Sequence, residues 1–494
     1  MLRNSSVMVK PGCAICFGII ALAAGVGTLR SDPVIEWNRQ MLGSIRTDTS
    51  APTLASRNLA ILHAAIYDAV NSIERTHQPY RFLIEPGQDS STEAAVVGAG
   101  YSVMVTLYPQ FRARFDEAYQ QFLASSADSV ARSNGLQLGR LVGLLAVDSR
   151  SADSSNTQVT YIPSDAPGQW RRTPPFFRPP LDPQWRYVDP FCLPDIDPFV
   201  PPGPPRLDSA AYADDMNQVR ALGAKTNSVR TAEQSQIAVF WSDFSYTETP
   251  AGHWQEIVGA VSLNQSNTVS DNARLFALVS MGQADAGIVT WEAKYRYNFW
   301  RPVTAIQRAD EDNNPATDKD AAWESFLVSP PFPEYTSGHS TFSKASAVVI
   351  SNFYGTDALS FTVGADALPG VTRSFDSLAA CADEIGLSRI YGGIHFMSAN
   401  RDGKACGAKI GEFVSRNFLL PNDGLPILLI ESFSDSSLKL RLHGHIGSRC
   451  VLQTSNDLTI WNSMSTNLAV VGGVVVEAQS LVSAAIRFYR LREE

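Results

Sequence analysis

Between positions 294 and 395 this 494-residue chain carries a set of side chains suited to holding and transforming an oxyanion: Lys294, Arg301, Ser337, Gly338, His339, Arg389 and His395. Lys294 and Arg301 are seven residues apart, close to two helical turns, so on a continuing helix they project from one face. Pro302 then biases Arg301 away from helical geometry and is expected to end the element there. Pro330-Pro331-Phe332-Pro333-Glu334-Tyr335-Thr336-Ser337-Gly338-His339 precedes an amphipathic run through Ala345, Val348, Val349 and Phe353 that stops at Gly355. A proline-rich entry, a Thr or Ser N-cap and a following Gly put Ser337, Gly338 and His339 at a helix N-terminus, where free backbone N–H groups and the helix dipole favour an anion. In Ser388-Arg389-Ile390-Tyr391-Gly392-Gly393-Ile394-His395, helical spacing from Ser374 through Leu378 and Ile385 leads to two glycines. Those glycines should break the helix and turn Arg389 and His395 toward one point.

Gathering three cations costs roughly 4 kcal/mol of repulsion for each like pair at about 4 Å and an effective dielectric near 20. The arrangement makes sense around a multiply charged anion. Two guanidinium forks and an ammonium fit phosphate-like oxygens, and Ser337 Oγ and the Gly338 N–H add donors. Histidines at opposite poles allow chemistry along one axis.

The rest of the chain must position these groups. With 44% hydrophobic and 18% charged residues, disorder as the main state is excluded. The 40 Lys plus Arg against 49 Asp plus Glu give a net charge of -9, so the bulk charge suggests neither a nucleic-acid nor an acidic-membrane binder. Arg3 and Lys10 precede an apolar run from Cys13 to Gly27 that reads as a signal peptide over residues 1–30, implying a secreted or periplasmic protein with no membrane span once it is removed. The remaining cysteines, Cys192, Cys381, Cys406 and Cys450, allow three full pairings, and the sequence does not choose among them.

The reading for residues 31–420 is a mainly α helical-bundle domain. Leu59, Leu62, Ile66, Val70 and Ile73 form one helical stripe, and further helical patterns cover Glu93–Leu107 and Val130–Val147. Helices also start near Ser209, at the capping box Thr231-Ala232-Glu233-Gln234, and near Ser270-Asp271. Residues 163–205 hold 14 of the 29 prolines with Trp170, Phe176, Phe177, Trp185, Tyr187, Phe191 and Phe199. This stretch is expected to be an ordered strap across the helices, either walling a site or serving as a packed connection. After the turn Pro421-Asn422-Asp423-Gly424, alternating runs (Leu438, Leu440, Leu442; Val474, Val476; Ile486, Phe488) predict a small β-sandwich-like module over 425–494. His253, in Pro250-Ala251-Gly252-His253-Trp254, reads as a hydrogen-bonded structural histidine or as a residue behind the site.

The pattern Lys, six residues, Arg-Pro; Ser-Gly-His; Ser-Arg, five residues, His resembles the vanadium-dependent haloperoxidases and the acid phosphatases of their superfamily, the type 2 phosphatidic acid phosphatases. Ala55-Ser56-Arg57-Asn58, Thr231-Ala232-Glu233-Gln234, Gly252-His253-Trp254 and Asn298-Phe299-Trp300 resemble the bacterial branch. The family usually has Pro where Thr336 stands, and Thr is expected to cap the helix instead. The resemblance implies a vanadate cofactor held by Lys294, Arg301, Ser337, Gly338 and Arg389, with His395 as metal ligand and His339 as acid-base group. It implies that hydrogen peroxide is activated at the vanadate and polarised by Lys294, and that halide attacks it to give hypohalous acid for an organic acceptor. Trp291 and Phe332 stand where the family carries aromatics near the halide path, and an aromatic at the second position is more chloroperoxidase-like than a His. The alternative is a cofactor-free acid phosphatase, with His395 as covalent nucleophile and His339 protonating the leaving alcohol.

Overall fold

The computed structural model describes residues 32–422 and, beyond them, 427–433, 437–443, 449–455, 459–468, 474–479 and 488–493. The proposed signal segment lies outside the described residues. Helix α1 (Pro33–Asp48) is capped by the Asp32 carboxylate, and α2 (Pro52–Glu74) is buried along almost its whole length. Around α2 pack α3 (Thr92–Leu107), α5 (Val130–Asp148) and the 29-residue α9 (Val269–Tyr297), while α4 (Arg112–Ser125) lies against α3. Helices α2 and α9 are buried on nearly every face, their apolar residues packed among other helices and their polar ones held inside. Capping boxes start α9 at Thr268/Asp271 and α7 (Ala232–Phe240) at Thr231/Gln234, as the sequence predicts for the second. Between them runs α8 (Thr249–Gln265), and before them α6 (Ala210–Leu222).

The second half closes on α9. Helix α11 (Gly338–Tyr354) packs against α9, α12 (Leu378–Tyr391) and α13 (Met397–Asn417). A Cβ on Gly407 of α13 would stand 2.3 Å from the Thr341 carbonyl oxygen, so only glycine lets α13 approach the first turns of α11 this closely. Two expectations are corrected here. Helix α9 ends at Tyr297, with Asn298 in the left-handed conformation, and Arg301 is instead the extended N-cap of a short α10 (Pro302–Gln307). Pro302 opens a helix because its missing N–H is an orphan at that position anyway. Ser374 belongs to a hairpin, β1 (Phe361–Gly364) with β2 (Thr372–Phe375), and α12 starts at Leu378 under a Ser377 cap.

Residues 163–205 contain only two single-turn 3-10 elements, Trp185–Tyr187 and Asp197–Phe199. An irregular segment must place its backbone polar groups elsewhere. Here the N–H groups of Phe191, Cys192 and Leu193 all donate to the buried Asp285 carboxylate of α9, at 2.6, 2.8 and 3.0 Å. The Leu181 carbonyl accepts from Trp291 Nε1 (3.3 Å) and Tyr295 Oη (2.6 Å), which fixes the strap over the C-terminal end of α9.

Strands β3 (Ile427–Phe433), β4 (Ser437–His443) and β7 (Val474–Gln479) form one antiparallel sheet, and β6 (Asn462–Leu468), β5 (Arg449–Ser455) and β8 (Phe488–Glu493) another. Leu440 and Leu442 of the first and Leu452 of the second share a small apolar core. Cys192, Cys381 and Cys406 are buried free thiols, and Cys450 is buried as well. Among the described residues, no helix is long and apolar enough to cross a membrane.

Candidate active site

A cavity of about 70 Å³ opens among the ends of four helices and the strap, lined by Gly338, His339, Arg389, His395, Trp291 and Phe332 together with Leu181 and Arg178. Two waters or one small tetrahedral anion fill such a space. Residues 163–205 therefore wall the site and do not merely connect helices. Ser337 caps α11 and Gly338 is its first residue, so the free N–H groups of that first turn face the cavity side. The capping role expected of Thr336 belongs to Ser337, because Thr336 lies one residue too early. Thr336 Oγ1 is buried without a partner.

His395 follows the Gly392-Gly393 turn. Gly393 has φ +75°, and a Cβ there would stand 2.3 Å from the Gly223 carbonyl oxygen. The ring is held at both nitrogens. Nδ1 lies 2.8 Å from Glu334 Oε1, an acceptor, and Nε2 lies 3.2 Å from Arg301 Nη1, a donor. The proton therefore sits on Nδ1, and Nε2 presents its lone pair. Such a carboxylate-histidine pair fixes the tautomer and raises the basicity of the free nitrogen.

His339 sits across the cavity, with Nε2 3.8 Å from Asp243 Oδ2 and no hydrogen-bond partner. Burial holds both histidines well below their usual range, reinforced for His339 first by Arg389 and for His395 first by Arg301. Both are neutral near pH 7, one available as a base and the other as a lone-pair donor.

The cations gather as the spacing predicts, but their donors are distributed unevenly. Arg389 lines the cavity, donating from Nη1 to the Trp241 carbonyl at 2.5 Å, while its Nε is buried without a partner. Arg301 and Lys294, fully buried, lie behind the cavity wall. Arg301 donates to the carbonyls of Phe332 (2.9 Å) and Ile394 (2.8 Å), and Lys294 to those of Pro333 (3.3 Å), Glu334 (3.0 Å) and Thr336. For Lys294 to reach an anion it must exchange one carbonyl for an anion oxygen. Burial, then the neighbouring Arg301, pulls the Lys294 ammonium well below its ordinary value, and burial lowers Arg301 to about 9 and Arg389 to about 10. Burial is the main cause of all three shifts.

Two acidic residues that the sequence reading did not single out stand beside these cations. Glu334, fully buried, faces Lys294 and Arg301, and burial pushes it up to about 8 against their pull. Asp243 lies beside Arg389 and His339. Glu334 was visible as the single charge in a proline-aromatic run, whereas nothing in the spacing of Trp241-Ser242-Asp243 pointed to the site. Trp291 and Phe332 pack with ring centroids 5.0 Å apart, and Phe332 lies 5.0 Å from Lys294 Nζ and 4.9 Å from the Arg301 guanidinium carbon. They form a cation-π wall on the cavity.

This geometry, a helix N-terminus and three buried cations around a lone-pair histidine, has counterparts of known kind. Residues 274–421, from α9 to the end of the helical part, match the family model for the VCPO second helical-bundle domain. That match takes in about three-tenths of the chain, and over a longer stretch the chain is similar to solved vanadium haloperoxidases. The vanadium chloroperoxidase of Curvularia inaequalis is 29% identical over 171 residues, a match that spans 30% of this chain and 27% of that protein. A solved bacterial vanadium-dependent iodoperoxidase is 27% identical, with a TM-score of 0.71 over 79% of this chain and 97% of its own. A bacterial vanadium-dependent chloroperoxidase in its holo form, 17% identical with a TM-score of 0.59 over 74% and 92% of the two chains, shares the fold. The vanadium haloperoxidase fold thus brings together every sequence-predicted site residue of this chain in one cluster, four helix ends deep.

The residues present fit the family's oxyanion. The orphaned Arg389 Nε, the buried Arg301 and Lys294, and the capped start of α11 suit a small anion with several acceptor oxygens.

Proposed function

We propose that this chain is a vanadate-dependent haloperoxidase that uses hydrogen peroxide to oxidise halide to hypohalous acid or an equivalent halogenating species for an organic acceptor. The observation that carries this reading is the Nε2 lone pair of His395, directed into a cationic cage by Glu334 on one side and Arg301 on the other. Lys294, Arg301, Ser337, Gly338 and Arg389 would hold vanadate, with His395 as its protein ligand. When bound, vanadate supplies a Lewis-acid centre that activates peroxide without a change of metal oxidation state.

The chain's own residues do the rest. Arg389 and the α11 N-terminus bind the anion and offset its charge. His339, neutral near pH 7, accepts a proton from incoming peroxide and returns one to the departing oxygen. Lys294 donates a hydrogen bond to the oxygen that halide attacks. Trp291 and Phe332 keep that side apolar and favour a weakly hydrated halide over water. The strap closes the cavity from above.

The same lone pair also suits attack on phosphorus, so an acid phosphatase with a phosphohistidine at His395 is the second reading. The aromatic wall and the haloperoxidase relatives favour the first. The test is purified full-length chain with and without orthovanadate, assayed for peroxide-dependent oxidation of iodide, bromide and chloride and for hydrolysis of an aryl phosphate. Halide oxidation that requires vanadate and disappears in His395→Ala supports the proposal. Phosphatase activity that vanadate inhibits, with no halide oxidation, overturns it.

A further inference from the structure

Behind Asp243 lies a buried histidine with an unusual set of neighbours. His253, in the first turns of α8, is 1% exposed. Its Nε2 lies 2.8 Å from the carbonyl oxygen of Gly364 in β1, and its Nδ1 lies 3.0 Å from Asp243 Oδ1 and 3.8 Å from Glu248 Oε1. The Gly364 carbonyl oxygen only accepts, so Nε2 donates to it, and Nδ1 shares a hydrogen bond with Asp243 Oδ1, so the ring is held at both nitrogens.

Several elements hold this ring in place. Asp243 from the loop after α7 and Glu248 at the start of α8 face it, and the Trp241 ring lies 4.5 Å away centroid to centroid. Beyond Glu248 comes Arg46 of α1 at 3.1 Å, which also binds Asp366 of the hairpin loop (2.6 Å) and Glu256 of α8 (3.3 Å). Toward the site come Asp243 Oδ2 and then His339 of α11 at 3.8 Å, with Arg389 of α12 beside them. The line of contacts runs from Arg46 through Glu248, His253 and Asp243 to Arg389. The oxygen of Asp243 that His253 leaves free, Oδ2, lies 3.8 Å from the otherwise unpartnered His339 Nε2.

We propose that His253 is a positioning residue for the acid-base chemistry at His339. It acts through Asp243, clamping Oδ1 so that Oδ2 stays aimed at His339. The clamp is anchored at its far end by the β1–β2 hairpin, so a surface hairpin fixes a rotamer in the site. The proposal rests on the haloperoxidase reading only for what His339 does, and not for the geometry of His253.

Two measurements test it. In the full-length chain labelled with ¹⁵N-histidine, the signals lost in His253→Gln identify His253. Its Nε2 is expected to carry the hydrogen that the Gly364 carbonyl accepts, with Nδ1 in the hydrogen bond to Asp243. A bare Nε2 overturns the proposal, and this readout needs no turnover. In halide oxidation, His253→Gln is expected to lower kcat about tenfold, as loss of an outer partner does, with the halide KM and the orthovanadate affinity unchanged. If His253 works through Asp243, the double variant His253→Gln/Asp243→Ala is no slower than Asp243→Ala alone. Additive losses, or a His253→Gln variant that turns over like the parent, contradict the proposal. Absence of halide oxidation in the parent would sink the functional reading while the nitrogen signals still decide this one.

Discussion

Arg389→Met separates what the cationic cage costs the fold from what it gives the ligand. Arg389 is 1% exposed, makes one hydrogen bond, to the Trp241 carbonyl, and leaves Nε without a partner. Without an anion, the variant loses that bond, about 1 kcal/mol. It also sheds a buried charge whose depressed pKa records the desolvation it bears, so its resting stability should fall by less than about 2 kcal/mol. With an anion the balance reverses. A guanidinium about 4 Å from one negative charge contributes roughly 4 kcal/mol at an effective dielectric near 20, about a thousandfold in Kd. At a phosphate concentration near 100 times its Kd, the parent chain gains ~2.7 kcal/mol, and at the same concentration the variant should gain almost nothing. Differential scanning calorimetry in anion-depleted buffer, with phosphate or orthovanadate added at constant ionic strength, reads both numbers. Equal anion-induced shifts in the parent and Arg389→Met would refute the claim that the cavity is the anion site.

Glu334→Ala removes the acceptor of the His395 Nδ1–H and of the Phe396 N–H (2.9 Å), and should cost about 1–3 kcal/mol for each stranded donor in denaturant unfolding. It should also weaken orthovanadate binding by roughly 10–100-fold in equilibrium dialysis, because the tautomer of His395 is no longer set. Gly407→Ala pushes α13 away from the first turns of α11, and is expected to lower both the melting temperature and the anion-induced shift, since those turns carry Ser337 to His339. His63 donates to Asn38 Oδ1 at 3.1 Å, and burial draws it down to about 3. The unfolded chain takes up this proton below about pH 6.5 and the folded chain does not, so stability is lost as pH falls from 6.5 toward 3, by about 1.4 kcal/mol per pH unit. The difference in unfolding free energy between the parent and His63→Leu, followed against pH, should show that slope; a flat difference would mean that His63 is protonated in the fold.

How much of this was legible in the sequence depended on whether a signal was local. Helices α2, α3, α5 and α7 could be read because their apolar periodicity and caps lie within the elements themselves. The cationic residues were legible because each sits beside a local punctuation mark: Pro302 after Arg301, the proline-rich entry before Ser337, and Gly392-Gly393 between Arg389 and His395. The continuous helix from Lys294 to Arg301 was not borne out, because Asn298 takes a left-handed C-cap that three-and-four spacing does not announce. The hairpin at 361–375 was missed because four-residue strands offer too short an alternation to outweigh the helical run that follows. Asp243 and Glu334 escaped because their importance is a matter of distance across the fold: each joins the site only when α7 and the 330–337 segment are folded against α11 and α12. Whether residues 163–205 were wall or connection turned on Leu181 and Arg178 lining the cavity, with the Leu181 carbonyl tied to Trp291 and Tyr295, a tertiary contact with no trace in the local sequence.

The central claim is that His395 and the surrounding cations form one oxyanion site. Equilibrium dialysis of orthovanadate against the full-length chain tests it most directly, with His395→Ala and Arg389→Met in parallel and phosphate as competitor. The account predicts one saturable vanadate per parent chain, displaced by phosphate and lost in both variants. Vanadate binding that survives in His395→Ala and Arg389→Met, or no saturable binding in the parent, would contradict it.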